Sequence, residues 1–274
     1  MYNETKLNEL KEFAKNIRIQ TMVQLATRGF GHLGGAMSMV EILATLYGDK
    51  MKQDPKNPKW EERDRLVCSK GHGGPSIYAA LALLGYMPMS EMKTLNQPHT
   101  NLPSHCDMLK TPGIDVSTGS LGQGLSIASG LAYGLKVKRV DSYVYCIVGD
   151  GELQEGQNWE AMMNASQRKI KNFILFVDYN QIQLDGFVKD IDDIANINDK
   201  IKAFGWNVLD VADGHDINLL GDAIDQAKQS AEKPTAIICH TIKGKGIVWA
   251  ETEFNHHIEV SQEAADIAIA ALNA

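Results

Sequence analysis

Two hydrophobic periods alternate along the chain. Leu7, Leu10, Ala14, Ile17 and Leu25 recur at helical spacing and predict an amphipathic first helix over residues 5–28, stopped at Gly29. Helical patterns also predict segments Ser38–Tyr47, Pro75 to about Leu84, Leu125–Lys136, about Gly156–Lys169, a stretch ending at Phe204, Ile217–Ala231 and Val260–Leu272. Pro75 suits a first helical turn, where its missing N–H costs nothing. Between these lie short apolar runs of strand length. Tyr143–Val148 and Phe173–Val177 read as strands buried on both faces, and Arg65–Cys68, Asn207–Val211 and Ala236–His240 as further strands. Residues 49–64 and 96–119 are polar or proline-containing and read as loops, as does Lys243–His257, and polar residues 184–199 read as loop or broken helix. A connection as long as 96–119 inside a compact domain is more often functional or partner-covered than idle. The alternation predicts an α/β fold, a mostly parallel central sheet with helices on both faces and right-handed crossovers. Without repeats or low-complexity segments, residues 1–274 are expected to form a single domain.

Composition narrows the function. The net charge is −7 with no run of Lys and Arg, so a nucleic-acid surface is not expected. Four cysteines lack CxxC spacing, and Cys146 and Cys239 fall in strand-like runs as small core residues. The N-terminus carries charges throughout, unlike a signal peptide. No stretch approaches the roughly 18 apolar residues of a membrane span. A cytoplasmic protein is expected.

Chemistry concentrates where strands end. Gly149-Asp150-Gly151 follows one run, and Asp178-Tyr179-Asn180 follows the next. Parallel sheets bind ligands beyond the carboxyl ends of their strands, so Asp150 and Asn180 belong at one edge. A carboxylate, an amide oxygen and a backbone carbonyl there suit a hard cation such as Mg²⁺, which completes its shell with diphosphate and water. Taken alone, GDG is a strand-ending turn. GDG followed by 28 residues, 152–179, and then Asn180 resembles the diphosphate-binding segment of thiamine diphosphate enzymes.

Gly31-His32, Lys70-Gly71-His72-Gly73, Thr118-Gly119-Ser120-Leu121-Gly122-Gln123-Gly124, the GDGELQEG segment and DYNQI stand in the order and approximate spacing of the cofactor-binding domain of transketolase. The resemblance runs from the first helix to about His257. It implies thiamine diphosphate as cofactor and Mg²⁺, with Ca²⁺ or Mn²⁺ as substitutes, held by Asp150, Asn180 and the Ile182 carbonyl. It implies Gly151 N–H and His72 as diphosphate donors, and Gly119, Ser120 and Leu121 along the cofactor, the Gly119 carbonyl accepting from the aminopyrimidine. His32, His105 and His256 are implied over the thiazolium and the substrate, where a near-neutral pKa allows imidazole to give and take protons. The family usually has Trp-His-Gly where this chain has Asn255-His256-His257, so either histidine can be the active one, with His256 the choice. Ser104-His105-Cys106-Asp107 stands where Gly-His-Pro-Glu is typical, and Leu33 replaces a proline. His99, His215 and His240 read as surface or structural, and Trp159 and Met162 as packing residues.

Glu155 and Glu160 resemble carboxylates at the interface between two cofactor sites, where a pair packed across a symmetry axis raises each other's pKa and can share a proton. The implied reaction moves a two-carbon ketol unit from a ketose, phosphorylated or otherwise anionic, to an aldose. The pyrimidine-binding and C-terminal domains, including the glutamate that activates the cofactor, are missing from this chain. The resemblance therefore implies the N-terminal subunit of a split transketolase, active with a separate C-terminal subunit in an α2β2 assembly. The alternatives are a subunit of a deoxyxylulose phosphate synthase-like or 2-oxo acid dehydrogenase-like enzyme, or a non-catalytic cofactor-binding subunit.

Overall fold

The structure is a computed structural model and describes residues 1–251 and 256–274. Asn255, part of the C-terminal histidine motif, lies outside the described residues. Five strands, β2 (Arg65–Cys68), β3 (Val144–Gly149), β4 (Phe173–Tyr179), β5 (Asn207–Val211) and β6 (Thr235–His240), form one parallel sheet in the order β2-β3-β4-β6-β5. The register sets Gly149 beside Asp178, and Tyr179 beside His240. All five strands therefore end on the same edge.

Side chains alternate across the sheet into two apolar layers. Tyr145, Ile147, Ile174 and Phe176 face one layer, and Val144, Cys146, Val148, Phe173, Leu175 and Val177 face the other. The first layer is closed by α1 (Glu4–Arg28), α2 (Leu33–Met37), α3 (Val40–Thr45), α4 (Gly74–Leu83), α9 (Ile217–Lys228) and α10 (Gln262–Asn273). The second is closed by α5 (Gln123–Lys138), α6 (Gly156–Gln167) and α8 (Ile197–Ala203), and short α7 (Val188–Ile191) sits at its margin. Each fully buried Leu, Ile, Val or Phe contributes about 1.5–3 kcal/mol. Continuous apolar runs in β3 and β4 follow from burial on both faces, and all four cysteines are free and buried. No helix among the described residues is long and apolar enough to cross a membrane.

Three features depart from the periodicity. The segment expected as one helix from Ser38 to Tyr47 instead begins at Leu33, as α2, breaks, and resumes as α3. Gly34 and Gly35 disfavour helix intrinsically, but every residue of α2 is buried, and packing overrides that preference. Strand β4 runs on through Asp178 and Tyr179, because a buried lysine pairs with that aspartate. Two-residue strands β1 (Phe30–Gly31) and β7 (Ile258–Glu259) pair antiparallel, bringing the chain beyond residue 255 back to the end of α1. Gly29, at φ 88°, stops α1 in the left-handed conformation that glycine adopts without strain.

Candidate functional site

The loops beyond β2, β3, β4 and β6 enclose a cleft of about 290 Å³. Its wall includes Lys70, His72, Asp150, Asn180, Lys243 and His256. Asp150 directly follows β3 and is 2% exposed. One of its carboxylate oxygens accepts from Gly151 N–H at 2.7 Å and the other from Gln181 N–H. Burial, and then the charge of Asp178, pushes its carboxyl up to about 7. A cation placed at this carboxylate reverses that logic and keeps it ionised.

Asn180 follows β4, its Oδ1 accepting from Ile182 N–H at 3.1 Å while its Nδ2 donates to Asp178 Oδ2 at 3.0 Å. A carboxylate only accepts, so Asp178 fixes which end of the amide carries the free oxygen. The Ile182 carbonyl accepts from Lys243 Nζ at 2.9 Å and retains a second lone pair. The three oxygens belong to one cleft and are all hard donors. A hard cation that takes few protein ligands suits such a donor set; among the described residues no group of three His, Cys, Asp or Glu able to hold a metal occurs.

Beneath this rim lies a buried network that the sequence did not disclose. Lys70 Nζ pairs with Asp178 at 2.5 Å and donates to the Gly35 carbonyl at 2.7 Å. Ser38 Oγ and Thr241 Oγ1 also donate to Asp178. Burial alone would raise the Asp178 carboxyl, but Lys70 and the hydroxyl donors hold it below the usual range. A charged residue directly after the apolar run FILFV was the available signal of a buried partner. Asp178→Asn leaves the Lys70 ammonium buried without its counter-charge, and is expected to cost about 3–5 kcal/mol in denaturant unfolding. Adding Lys70→Met removes the stranded charge and should restore most of that loss. A second buried carboxylate, Glu152, accepts from Ser69 Oγ, Gly122 N–H (2.9 Å) and Gly149 N–H (3.1 Å), tying the 118–124 loop to the turn after β3.

The histidines converge from distant parts of the chain. The His32 ring lies 5.3 Å from His72, 5.4 Å from His105, 5.3 Å from His256 and 4.6 Å from His257. Burial, and then its basic neighbours, lowers His32 to about 3 and His256 to about 4. His72 is also held well below its usual value, by burial first and Lys70 second. The result is a patch of neutral imidazoles. Lys243, buried beside them with its Nζ 3.4 Å from His256 Nδ1, is lowered by burial to about 8. Gly119, at φ 152°, leaves room for the His105 ring, which would lie only 3.2 Å from an added Cβ. Ser120 and Leu121 are exposed beside it.

Glu155 and Glu160 lie on the exposed side of the turn before α6 and of α6 itself. Met162 is fully buried, and half-buried Trp159 donates to the Leu153 carbonyl. His99 is on the loop surface, and His240 pairs with Asp210. His215 joins a buried cluster in which Glu41 also takes a bidentate contact from Arg18. Its other ring nitrogen accepts from Ile242 N–H at 2.8 Å, which anchors the loop carrying Lys243.

Residues 10–270 match the protein family described as "Transketolase, thiamine diphosphate binding domain". The chain is 47% identical over 265 residues to the 6-deoxy-6-sulfo-D-fructose transketolase subunit of Clostridium sp. (strain MSTE9), covering 96% of each chain. It is 39% identical over 259 residues to an apulose-4-phosphate transketolase subunit of Actinobacillus succinogenes, covering 93% of each. Among solved structures it superposes on transketolase from Campylobacter jejuni with TM-score 0.91 and 32% identity, covering 99% of this chain and 43% of that one. The chain thus spans less than half the length of that transketolase.

Proposed function

Because the chain belongs to the transketolase family and corresponds to its thiamine diphosphate-binding domain, we propose that it is the N-terminal subunit of a split, thiamine diphosphate- and Mg²⁺-dependent transketolase. Residues 1–274 act in this reading as a single cofactor-binding domain. The observation that carries it is the meeting of Asp150, Asn180 and Ile182 with His72 and His256 around one cleft at the ends of four parallel strands, with the His32 ring against both of those histidines. Asp150, Asn180 and the Ile182 carbonyl would hold the cation, for which Ca²⁺ or Mn²⁺ can stand in. Gly151 N–H and His72 would hold the diphosphate. Gly119, Ser120 and Leu121 would line the rest of the cofactor, the Gly119 carbonyl accepting from its aminopyrimidine.

When bound, thiamine diphosphate supplies the electron sink for breaking and making the ketose carbon–carbon bond. The chain's own part is orientation and proton handling. His32, His105 and His256 present neutral imidazoles that can accept a proton from a sugar hydroxyl and donate to a carbonyl oxygen. His257, 4.6 Å from His32 and more exposed, stands on the side toward Phe30 and completes that wall. Glu155 and Glu160, exposed in the single chain, would meet a second copy across a symmetry axis and share a proton there. The likeness to a subunit named for a sulfonated ketose, and to one named for a sugar phosphate, supports an anionic ketose as donor. A separate subunit with the pyrimidine-binding and C-terminal domains completes an α2β2 assembly, in a cytoplasmic setting consistent with four unpaired cysteines.

The test is ketol transfer with and without that subunit. The isolated chain should show none, and the co-expressed pair should form a heterotetramer by light scattering and use a ketose donor rather than pyruvate. Activity of the chain alone, or turnover of pyruvate in place of the ketose, would overturn this reading.

A further inference from the structure

At the outer end of the histidine wall, the side chains continue in a line that none of the roles above uses. The His257 ring packs 5.2 Å from the Phe30 ring, and the Arg28 guanidinium lies over that same Phe30 ring, its Cζ 4.1 Å from the centroid. Arg28, Phe30, His32, Asn96, Ser104 and His257 border one narrow notch. Its volume, about 20 Å³, is that of a water site, so anything larger would rest across its mouth.

Arg28 is unusual there in what it lacks. Its Nε is buried with no hydrogen-bond partner, and no carboxylate among the described residues forms an ion pair with it. A guanidinium carries five N–H donors in a rigid fork; the buried Nε is closed to a ligand resting across the mouth, and the four N–H donors of the two Nη nitrogens, which have no partner among the described residues, are the ones it would meet. The surroundings do not oppose an anion: the groups acting most on His32 and His105 are imidazoles and the Lys243 ammonium, and none of them is a carboxylate. Stacking on Phe30 holds the guanidinium plane in place, so less side-chain freedom is lost when a ligand binds. The side chain is anchored at the last turn of α1, which ends at Gly29 only three residues before His32.

We propose that Arg28 is a specificity-determining residue that receives the tetrahedral oxyanion at the tail of the donor sugar, a phosphate or a sulfonate, while the carbonyl end lies at His32. This rests on the ketose-transfer reading above. It adds a contribution of this chain to tail recognition, beyond whatever the partner subunit supplies. A fork-shaped donor pairs with two oxygens of such a group at once, which a lysine cannot reproduce.

The experiment uses the assembled enzyme and three donors sharing a ketohexose skeleton: fructose 6-phosphate, 6-deoxy-6-sulfofructose and uncharged fructose. For Arg28→Gln, the ratio of kcat/KM for a charged donor to that for fructose should fall at least tenfold, with the loss mainly in KM. Arg28→Lys should fall between the two. Whichever charged donor suffers the larger loss identifies the oxyanion. An equal change for charged and uncharged donors, or no change, would overturn the proposal and leave Arg28 as a stabiliser of the α1 terminus. If the wild-type assembly transfers ketol from none of the three, the ketose reading itself has failed. The two failures are therefore distinguishable.

Discussion

Replacing Asp150 by asparagine is expected to lower magnesium-dependent uptake of thiamine diphosphate at least about 100-fold. The argument is one of charge. Of the three oxygens assigned to the cation, only the Asp150 carboxylate is ionic, while Asn180 and the Ile182 carbonyl are neutral dipoles. Altering groups that merely support metal ligands typically costs 10–100-fold in affinity, so removing the one charged ligand sets that range as a floor. The substitution keeps the side-chain shape and one acceptor for the two N–H donors of Gly151 and Gln181. The fold should therefore lose on the order of 1 kcal/mol, the net worth of one hydrogen bond. Calorimetric titration of the assembled complex with cofactor and Mg²⁺ reads the affinity, and a thermal melt without ligand reads the fold. Undiminished uptake by the variant would remove the cation from this rim.

His32→Ala should separate chemistry from binding. Its imidazole contacts four other histidine rings, yet the groups assigned to cation and diphosphate lie on other loops. A positioned imidazole that moves a proton contributes about 10²–10⁴-fold, so kcat of the assembled enzyme should fall by that factor while cofactor uptake persists. Burial and the surrounding bases keep His32 neutral, with its pKa lowered to about 3, so throughout the physiological range it offers one N–H donor and one acceptor nitrogen, and it is a weaker base than a free imidazole. A variant retaining kcat within about threefold of wild type, well short of such a contribution, would assign His32 a packing role and pass the proton work to His105 or His256.

Some of this molecule was readable from local pattern. The strands β2, β3, β5 and β6 sit within a residue of where their apolar runs place them, and the sheet is parallel as their alternation with helices requires. Asp150 and Asn180 were locatable because each directly follows a strand, and strand ends are set by the chain itself. The Gly34-Gly35 helix was not locatable that way. Its stability comes from burial against other segments, which period and propensity within a short window do not record. The β1–β7 pair is similarly silent, since two residues carry no period.

The sequence by itself determined the layered architecture, the succession of ligand-facing turns and the GDG-to-Asn spacing, because these depend on contacts within or next to each segment. Tertiary structure alone decided three other matters: that Lys70 neutralises Asp178, that Lys243 reaches the Ile182 carbonyl, and that Arg28, without an ion-pair partner among the described residues, stacks on Phe30 beside His257. Those contacts join residues as many as 227 positions apart, such as Phe30 and His257. Such pairs form only when loops close and side chains compete for the same buried space, and nothing in a residue's immediate neighbours encodes which competitor wins.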